Sequence, residues 1–523
     1  MTATTEAYRS RLPAGHDGFG QILRAEWTKF WTVRGWIIGL VVSVLLTALI
    51  SVLTSLAQHS GSCVGPNPSQ LTCTTGHPYV PTGPGGEAVA DSFYFVHHPL
   101  TGNGSITARV TSLTGVASTS GNTSSPGSSP LSSTKANLAP WAKAGLIIKQ
   151  SLHQGSAYAA VMTTGAHGVR MQYNYLHDAP GLAGRVSAAA PRWLRLTRSG
   201  DTLTGYDSIN GTRWSKIGTV RLPGLHATVQ AGLFATSPVS FQGSSGGYTT
   251  MATGVFDHVS GGGTAWRGLN LGTSSMYPTL APGRYQQSGG AFTLSGSGDI
   301  APDVGGGIFG GDTLHNSLVG GLIGLIVLIV VATLYITAEY RRGLIRVTLT
   351  ASPRRGRVLA AKAIVIGLVA FVTGLVATAI SIPISQHLLI HNGNYLLPVS
   401  ALTDLRVVVG TAALLAVAAV AVLALGTVLR RSAGAVTAGI LLFVLPYILA
   451  NAVPASGQWL MRLTPAAAFA IQQTIPAYPQ VSNSYNVANG FYPLSVWAGF
   501  AVLCVWAALA LGLALVVLRR RDA

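Results

Sequence analysis

Six runs of twenty or more largely apolar residues decide what this chain can become. They occupy 36–57, 317–338, 358–384, 405–429, 433–452 and 494–518. At about 1.5 Å of rise per residue, each can cross roughly 30 Å of hydrocarbon as a helix. No other open-ended structure keeps its backbone hydrogen bonds inside one segment. Only 9% of residues are charged, 48% are hydrophobic and the mean hydropathy is +0.43, which excludes an ordinary water-soluble globule. The first run is no cleaved signal peptide, being too long and preceded by residues 1–35.

Charge sets the expected orientation. The net charge of +18 is concentrated in short flanks of the apolar runs. Between 339 and 362 lie Arg341, Arg342, Arg346, Arg354, Arg355, Arg357 and Lys362, whereas the 386–401 loop one span later has no Lys or Arg. With six spans, Arg430–Arg431, Arg519–Arg521 and the Arg24, Lys29, Arg34 group fall on the same side as the 339–362 loop. The positive-inside rule then predicts both termini in the cytoplasm and residues 58–315 outside. Nucleic-acid binding, which needs a basic face on a folded soluble domain, is not indicated. Few ionisable residues lie deep in any run, which argues against an ion-coupled transporter. Outside the cytoplasm, Cys63 and Cys73 are candidates for a disulfide closing a small loop, the alternative being two free thiols. Cys504, inside the last run, reads as a small apolar residue.

Between the first two runs the chain changes character. Residues 58–87 read as a Gly/Pro/Ser/Thr-rich linker. Short alternating runs follow at 105–112, 144–150, 168–175, 193–198, 202–207, 212–218 and 228–235, divided by turn signals that include Ser208-Ile-Asn-Gly211. Their spacing predicts an antiparallel β-sandwich. Residues 113–139 read as a Ser/Gly-rich inserted loop and 259–315 as a stalk or extra strands. The strings Lys143-Ala-Gly-Leu-Ile-Ile-Lys149, Arg192-Trp-Leu-Arg-Leu-Thr-Arg-Ser-Gly-Asp-Thr-Leu-Thr-Gly-Tyr206 and 207–218 resemble the concanavalin A-like jelly-roll family. The resemblance covers about 88–258 and implies a fold common in glycan-active proteins. No two carboxylates are spaced as a hydrolytic pair. His97 and His98 point to opposite faces of a strand, which disfavours a shared metal ion. Trp141, Trp193 and Trp214 read as sandwich core before sugar platforms.

Two cytoplasmic segments carry the functional reading. In the 21–34 stretch, Leu23, Trp27, Phe30 and Trp31 share a helical face, with Glu26 and Lys29 on the same helix, forming an interfacial amphipathic segment. In the 337–362 stretch, a short helix is broken at Ser352-Pro353 before a basic turn enters the third span. The strings Leu-Arg-Ala-Glu-Trp-Thr-Lys at 23–29, the 338–362 run and Leu463-Thr-Pro-Ala-Ala-Ala468 resemble permeases of the type-2 ABC export superfamily, actinobacterial members in particular. That resemblance covers 20–57 and 316–523. It implies an elbow helix before the first span and a coupling segment at 339–357, with Glu339, Arg341, Arg342, Gly343, Arg346, Pro353, Arg354 and Arg355 as contact residues for an ATPase. It also implies a homodimer of permeases in a bacterial plasma membrane. The chain has no Gly-x-x-x-x-Gly-Lys-Ser/Thr phosphate loop, so ATP and Mg would be bound by a separate ATP-binding subunit. No catalytic, cofactor or metal residue is expected in this chain. The long insertion between the first two spans departs from the family pattern and leaves the substrate open. The competing reading is a membrane-anchored surface receptor or glycan-binding protein acting through its ectodomain, which would need only one or two spans.

Overall fold

A computed structural model describes residues 18–58, 61–64, 72–75, 80–118, 134–241, 247–261, 265–272, 282–305, 312–341, 343–345, 354–453, 457–484 and 487–521. Among the described residues, six helices are long and apolar enough to cross a membrane: Arg34–Ala57, Gly321–Arg341, Arg355–His391, Ala401–Leu429, Ser432–Ala452 and Val496–Arg520. They are called here the first to sixth spans. A separate helix, Phe19–Thr32, precedes the first span and turns into it at Val33. The third span has 37 residues, about 55 Å at ~1.5 Å per residue, and so extends past the hydrocarbon at its ends.

Small side chains let these helices approach. Ser43, Thr47, Ser51 and Ser55 are buried along one face of the first span. Ser43 donates to the carbonyl of Gly324 on the second span at 3.1 Å, a close approach that glycine permits. The fourth span contributes the most central packing, with Ala418, Ala419, Val422, Leu423 and Ala424 all buried. Its start is capped by the Ser400 hydroxyl, which accepts from the Thr403 amide.

Among the described residues, the strands between the first two spans build two large antiparallel sheets and three two-stranded ones. One has seven strands in the spatial order His177–Pro180, Val169–Tyr173, Tyr158–Thr164, Lys143–Lys149, Thr228–Thr236, Phe93–Thr101 and Arg267–Leu271. The other has eight: Gly104–Ser118 at its centre, Arg192–Ser199, Thr202–Ser208 and Ser215–Arg221 to one side, Thr250–Ser260, Ala291–Gly296 and Arg284–Ser288 to the other, and the short Thr134–Ala136 paired with the end of Gly104–Ser118. Side chains from both, among them Val96, Ile106, Leu146, Ile148, Leu194, Leu196, Leu233 and Phe256, close into one core. Strand Arg192–Ser199 follows the expected period of two, burying Leu194 and Leu196 and leaving Trp193, Arg195 and Thr197 at the outer face.

Three differences from the sequence reading have physical causes. The strand beginning at Gly104 runs on to Ser118, past the start of the expected loop, because Leu113 and Ala117 continue its buried face. The strand expected at 212–218 lies at Ser215–Arg221, because the Ser208 hydroxyl and Asn210 carboxamide hold a longer loop through bonds to the amides of Gly211, Thr212 and Arg213. The sandwich, expected over about 88–258, takes in strands from 259–315, the expected stalk or extra strands, since Phe292 and Leu294 complete the core.

The seven-stranded sheet is covered on both faces. Its outer face carries Phe93, Phe95, Ile147, Tyr158, Ala160, Met162 and Phe234, which is too apolar to meet water and packs with Val89, Tyr175, Leu271 and Ile300. Above this layer lies the connection between the fifth and sixth spans. Gln480, fully buried, donates to the carbonyls of Tyr175 at 3.0 Å and Leu176 at 3.3 Å, and the Trp141 indole donates to the Ser482 hydroxyl at 3.0 Å. The sandwich is therefore seated on the helices. Within the bundle, Asn392 donates to the Ser55 carbonyl and Asn394 to the Gln58 carbonyl, both at 3.0 Å, tying the end of the third span to the end of the first. Strand Gly61–Val64 pairs with Thr72–Thr75 so that Cys63 stands opposite Cys73 in register. The side chains of the proposed disulfide lie outside the described residues.

Candidate functional site: a buried charge knot beside the cytoplasmic segment

Where the second span ends and the third begins, the chain gathers four charged side chains. Glu26 comes from the Phe19–Thr32 helix, Glu339 from the last turn of the second span, and Lys362 from the second turn of the third. All three are at most 4% exposed. The Lys362 ammonium lies 2.7 Å from Glu26 Oε2 and 2.5 Å from Glu339 Oε1. Lys29, partly exposed, closes the set with an ion pair to Glu339. Two lysines face two glutamates, so the knot is neutral. Separating any buried member leaves a charge stranded away from water, the costly case for buried ions.

Aromatic rings build the socket. Tyr335, one helical turn before Glu339, donates to Glu26 Oε2 at 2.9 Å, and Lys362 lies 5.1 Å from its ring centroid. Phe30 stacks on Trp36 at 5.5 Å, and both meet the Tyr335 ring edge-on at 5.5 and 5.0 Å. Burial, followed by the adjacent Lys362 charge, lowers Lys29 to about 8. The knot binds three helices at one point, and two of them lead directly into the 342–354 segment.

The expected elbow residues divide between two environments. Phe30 and Glu26 are buried and Leu23 packs against the helical core, whereas Trp27 and Trp31 are 37% and 47% exposed. The aromatic face expected as one surface is thus split: Phe30 anchors inward, and the two tryptophans, 5.8 Å apart edge-on, face outward. Glu339 points into the knot, so it can act on a docked partner only through the helices it holds. Arg341 ends the second span and is exposed, and Gly343 follows in a turn at φ +66°. Arg354 precedes the third span, and Arg355 donates to the carbonyls of Leu518 at 2.6 Å and Arg519 at 3.3 Å, capping the sixth span. The side chains of Arg342, Arg346 and Pro353 lie outside the described residues.

Sequence reasoning missed the roles of Lys362 and Tyr335. The available signal was the pair Tyr335 and Glu339, four apart on one helical face, beside a glutamate at 26 in an otherwise basic flank.

In the sandwich, His97 bonds Gln230 at 2.8 Å and stacks on Phe95, while His98 bonds the Pro99 carbonyl at 3.0 Å and meets Trp266 edge-on. Each histidine is engaged on its own face. Trp141 is buried, as expected of core, but Trp193 and Trp214 are half-buried at the outer face of the eight-stranded sheet, with Arg109 5.7 Å from the Trp193 ring and Arg195 4.0 Å from that of Trp214. Asp178, Asp201 and Asp207 serve separate contacts, to Arg170, Gly224 and Leu182.

Residues 159–523, well over half of the chain, match the family described as ABC-2 family transporter protein. No curated protein matches in sequence. Among solved structures, similarity is found to scytalido-glutamic peptidase with a transition state analog inhibitor, at 9% identity and TM-score 0.24, covering 39% of this chain and 98% of that one. A functionally unknown protein from Saccharomyces cerevisiae matches at 15% identity and TM-score 0.21, covering 39% and 96%. Scores this low carry no argument about fold or function.

Proposed function

The chain belongs to the ABC-2 family of transporter proteins, and on that premise we propose that it is the membrane permease of an ATP-driven exporter working with a separately encoded ATP-binding subunit. A multi-pass membrane permease of an ABC transporter is what membership itself conveys. Export, a bacterial plasma membrane, cytoplasmic termini and an external sandwich are our reading, supported by the clustering of Arg and Lys at one set of span ends. A homodimer of permeases is part of the same proposal.

The observation that carries the proposal is the charge knot at the ends of the 342–354 segment. Glu339 precedes that segment, Lys362 follows it, and they are bonded to each other and to the elbow helix. A push on the segment by a closing ATPase pair would move the elbow helix and two spans as one body. Arg341, Arg342 and Arg346 would supply the contact, with Gly343, Pro353, Arg354 and Arg355 shaping the segment. ATP and Mg would be bound entirely by the partner. The 478–484 stretch, seated under the sandwich and joined to the fifth and sixth spans, would carry their motion outward.

The test is co-purification with the ATP-binding subunit. Replacing Arg341, Arg342 and Arg346 together by Ala is expected to abolish the complex while leaving the permease folded. A complex of undiminished yield would refute the contact.

A further inference from the structure

Strand Lys143–Lys149 ends in a lysine with no access to water. Its ammonium lies 2.7 Å from Asp91 Oδ2, and both side chains are 0% exposed. Asp91 ends strand Val89–Asp91, which brings the chain in from the first span. Two further donors aim at the same oxygen: the Tyr175 hydroxyl at 2.8 Å and the Gly155 amide at 2.8 Å. The Tyr175 oxygen also accepts from Lys149 at 3.0 Å. Asp91 Oδ1 is buried and has no hydrogen-bond partner among the described residues. The surroundings are apolar and aromatic, with Phe93, Ile147, Tyr158 and Leu271 in the same cluster as Tyr175. Gly155 has φ +79°, and a Cβ there would fall 2.2 Å from the Thr82 carbonyl oxygen, so only glycine can hold its amide in this place.

From this arrangement we propose that Lys149 and Asp91 condense into a side-chain amide, an internal isopeptide bond that staples the entering strand to the centre of the sheet. The Lys149 ammonium, the Tyr175 hydroxyl and the Gly155 amide all converge on Oδ2 and leave Oδ1 unbonded among the described residues. Protons can thus be delivered to one oxygen, which is the one to be lost, while the other is kept as the amide carbonyl.

The steps balance without any added reagent. Within the pair, one proton passes from the ammonium to the carboxylate, leaving an amine and a carboxylic acid. Removal from water favours this neutral pair, and burial lowers Lys149 against the opposing charge of Asp91. That first proton goes directly to Asp91 Oδ2, which the ammonium already contacts, and the amine nitrogen then attacks Cγ. A second proton passes from the nitrogen to the Tyr175 hydroxyl as that hydroxyl gives its own to Oδ2. The Cγ–Oδ2 bond breaks, water leaves from beside the Gly155 N–H, and Oδ1 stays as the amide oxygen. One C–N bond is formed, one C–O bond is lost, and nothing is oxidised or reduced. Tyr175 ends the step protonated, since burial raises it well above its ordinary range.

The same strand provides an internal control. At its other end Lys143 pairs with Asp299 at 2.6 Å. Asp299 is 14% exposed, its Oδ1 is occupied by the Ile300 amide at 2.8 Å, and no phenol bonds either partner among the described residues. This pair stays ionic.

The experiment is the intact mass of the reduced, full-length chain, followed by a proteolytic digest. The expected mass is one water below that of the sequence, with a branched peptide holding both Asp91 and Lys149. The Tyr175→Phe variant is expected to fold yet to yield chain at the full sequence mass, in whole or in large part. A wild-type mass equal to the sequence, with Asp91 and Lys149 in separate linear peptides, would overturn the bond. A linkage found at Lys143 and Asp299 would overturn the assignment, and complete linkage in Tyr175→Phe would overturn the relay.

Discussion

The chain buries one lysine–carboxylate knot at the elbow end of its helical bundle and another inside the sandwich, and the two are built for different tasks. In the Lys362 knot one ammonium is shared between Glu26 and Glu339, and Lys29 adds a second cation. In the Lys149 knot a single carboxylate faces a single ammonium, and Tyr175 and Gly155 both serve one of its oxygens. The first joins three separate helices so that they can move as one body. The second joins two strands of one sandwich, where motion has no use. Shared, balanced charge holds three helices together without a covalent bond; a single fully buried pair with a phenol bonded to both partners is placed to become one.

Lys362→Met should produce the largest effect, because it strands Glu26 and Glu339 together. Breaking a buried pair costs about 3–5 kcal/mol. The variant should lose most of its folded yield in detergent, measured by thermal unfolding on size-exclusion chromatography. Adding Glu26→Gln and Glu339→Gln should restore much of that stability without restoring coupling to ATP. Full activity in the triple variant would mean that the knot only fills space.

A smaller effect is expected at the other end. Gln480→Ala removes two hydrogen bonds to the carbonyls of Tyr175 and Leu176, and unsatisfied buried groups cost about 1–3 kcal/mol. The sandwich should then become more accessible to protease while the helices keep their melting temperature. Equal loss in both regions would mean that they unfold as one unit, and the comparison between the two ends would blur.

Lys29→Arg should show the smallest change, visible in its pH dependence. Lys29 is lowered from 10.5 to about 8 in the folded chain, so the unfolded chain holds the extra proton between those values. Its contribution to stability therefore rises with pH across that window. Because the side chain is partly exposed, the gain should stay below about 1 kcal/mol. A guanidinium at this position would keep its proton in both states. The pH slope of the wild type minus that of the variant should therefore be positive across the same window. No difference would place Lys29 outside the knot electrostatically.

Much of this architecture was legible from sequence, and the illegible parts share a cause. The six spans follow from apolar runs too long for anything else, and Leu194 and Leu196 announced their strand by simple alternation. Nothing in the sequence marks Lys143 and Lys149, at the two ends of an apolar strand, as buried; both are, because Asp299 and Asp91 reach them from far along the chain. The covering of the seven-stranded sheet was equally hidden, since Gln480 sits some three hundred residues from the strands it caps. At the candidate site, the Phe19–Thr32 helix could be read from its amphipathic pattern. The direction of each face could not, because Phe30 and Trp31 are both large aromatics and only the positions of Trp36 and Tyr335 decide which one turns inward.

The central claim is that the 342–354 segment receives the ATPase and passes its motion through the knot. Its most direct test is a photo-reactive amino acid in place of Arg346, irradiated in membranes that contain the permease and its ATP-binding subunit. The account predicts a cross-link to that subunit whose yield changes when ATP is added, and loss of the ATP-dependent change when Lys362→Met, Glu26→Gln and Glu339→Gln are combined. Failure to capture the subunit from this position, in a complex shown to be assembled, would contradict it.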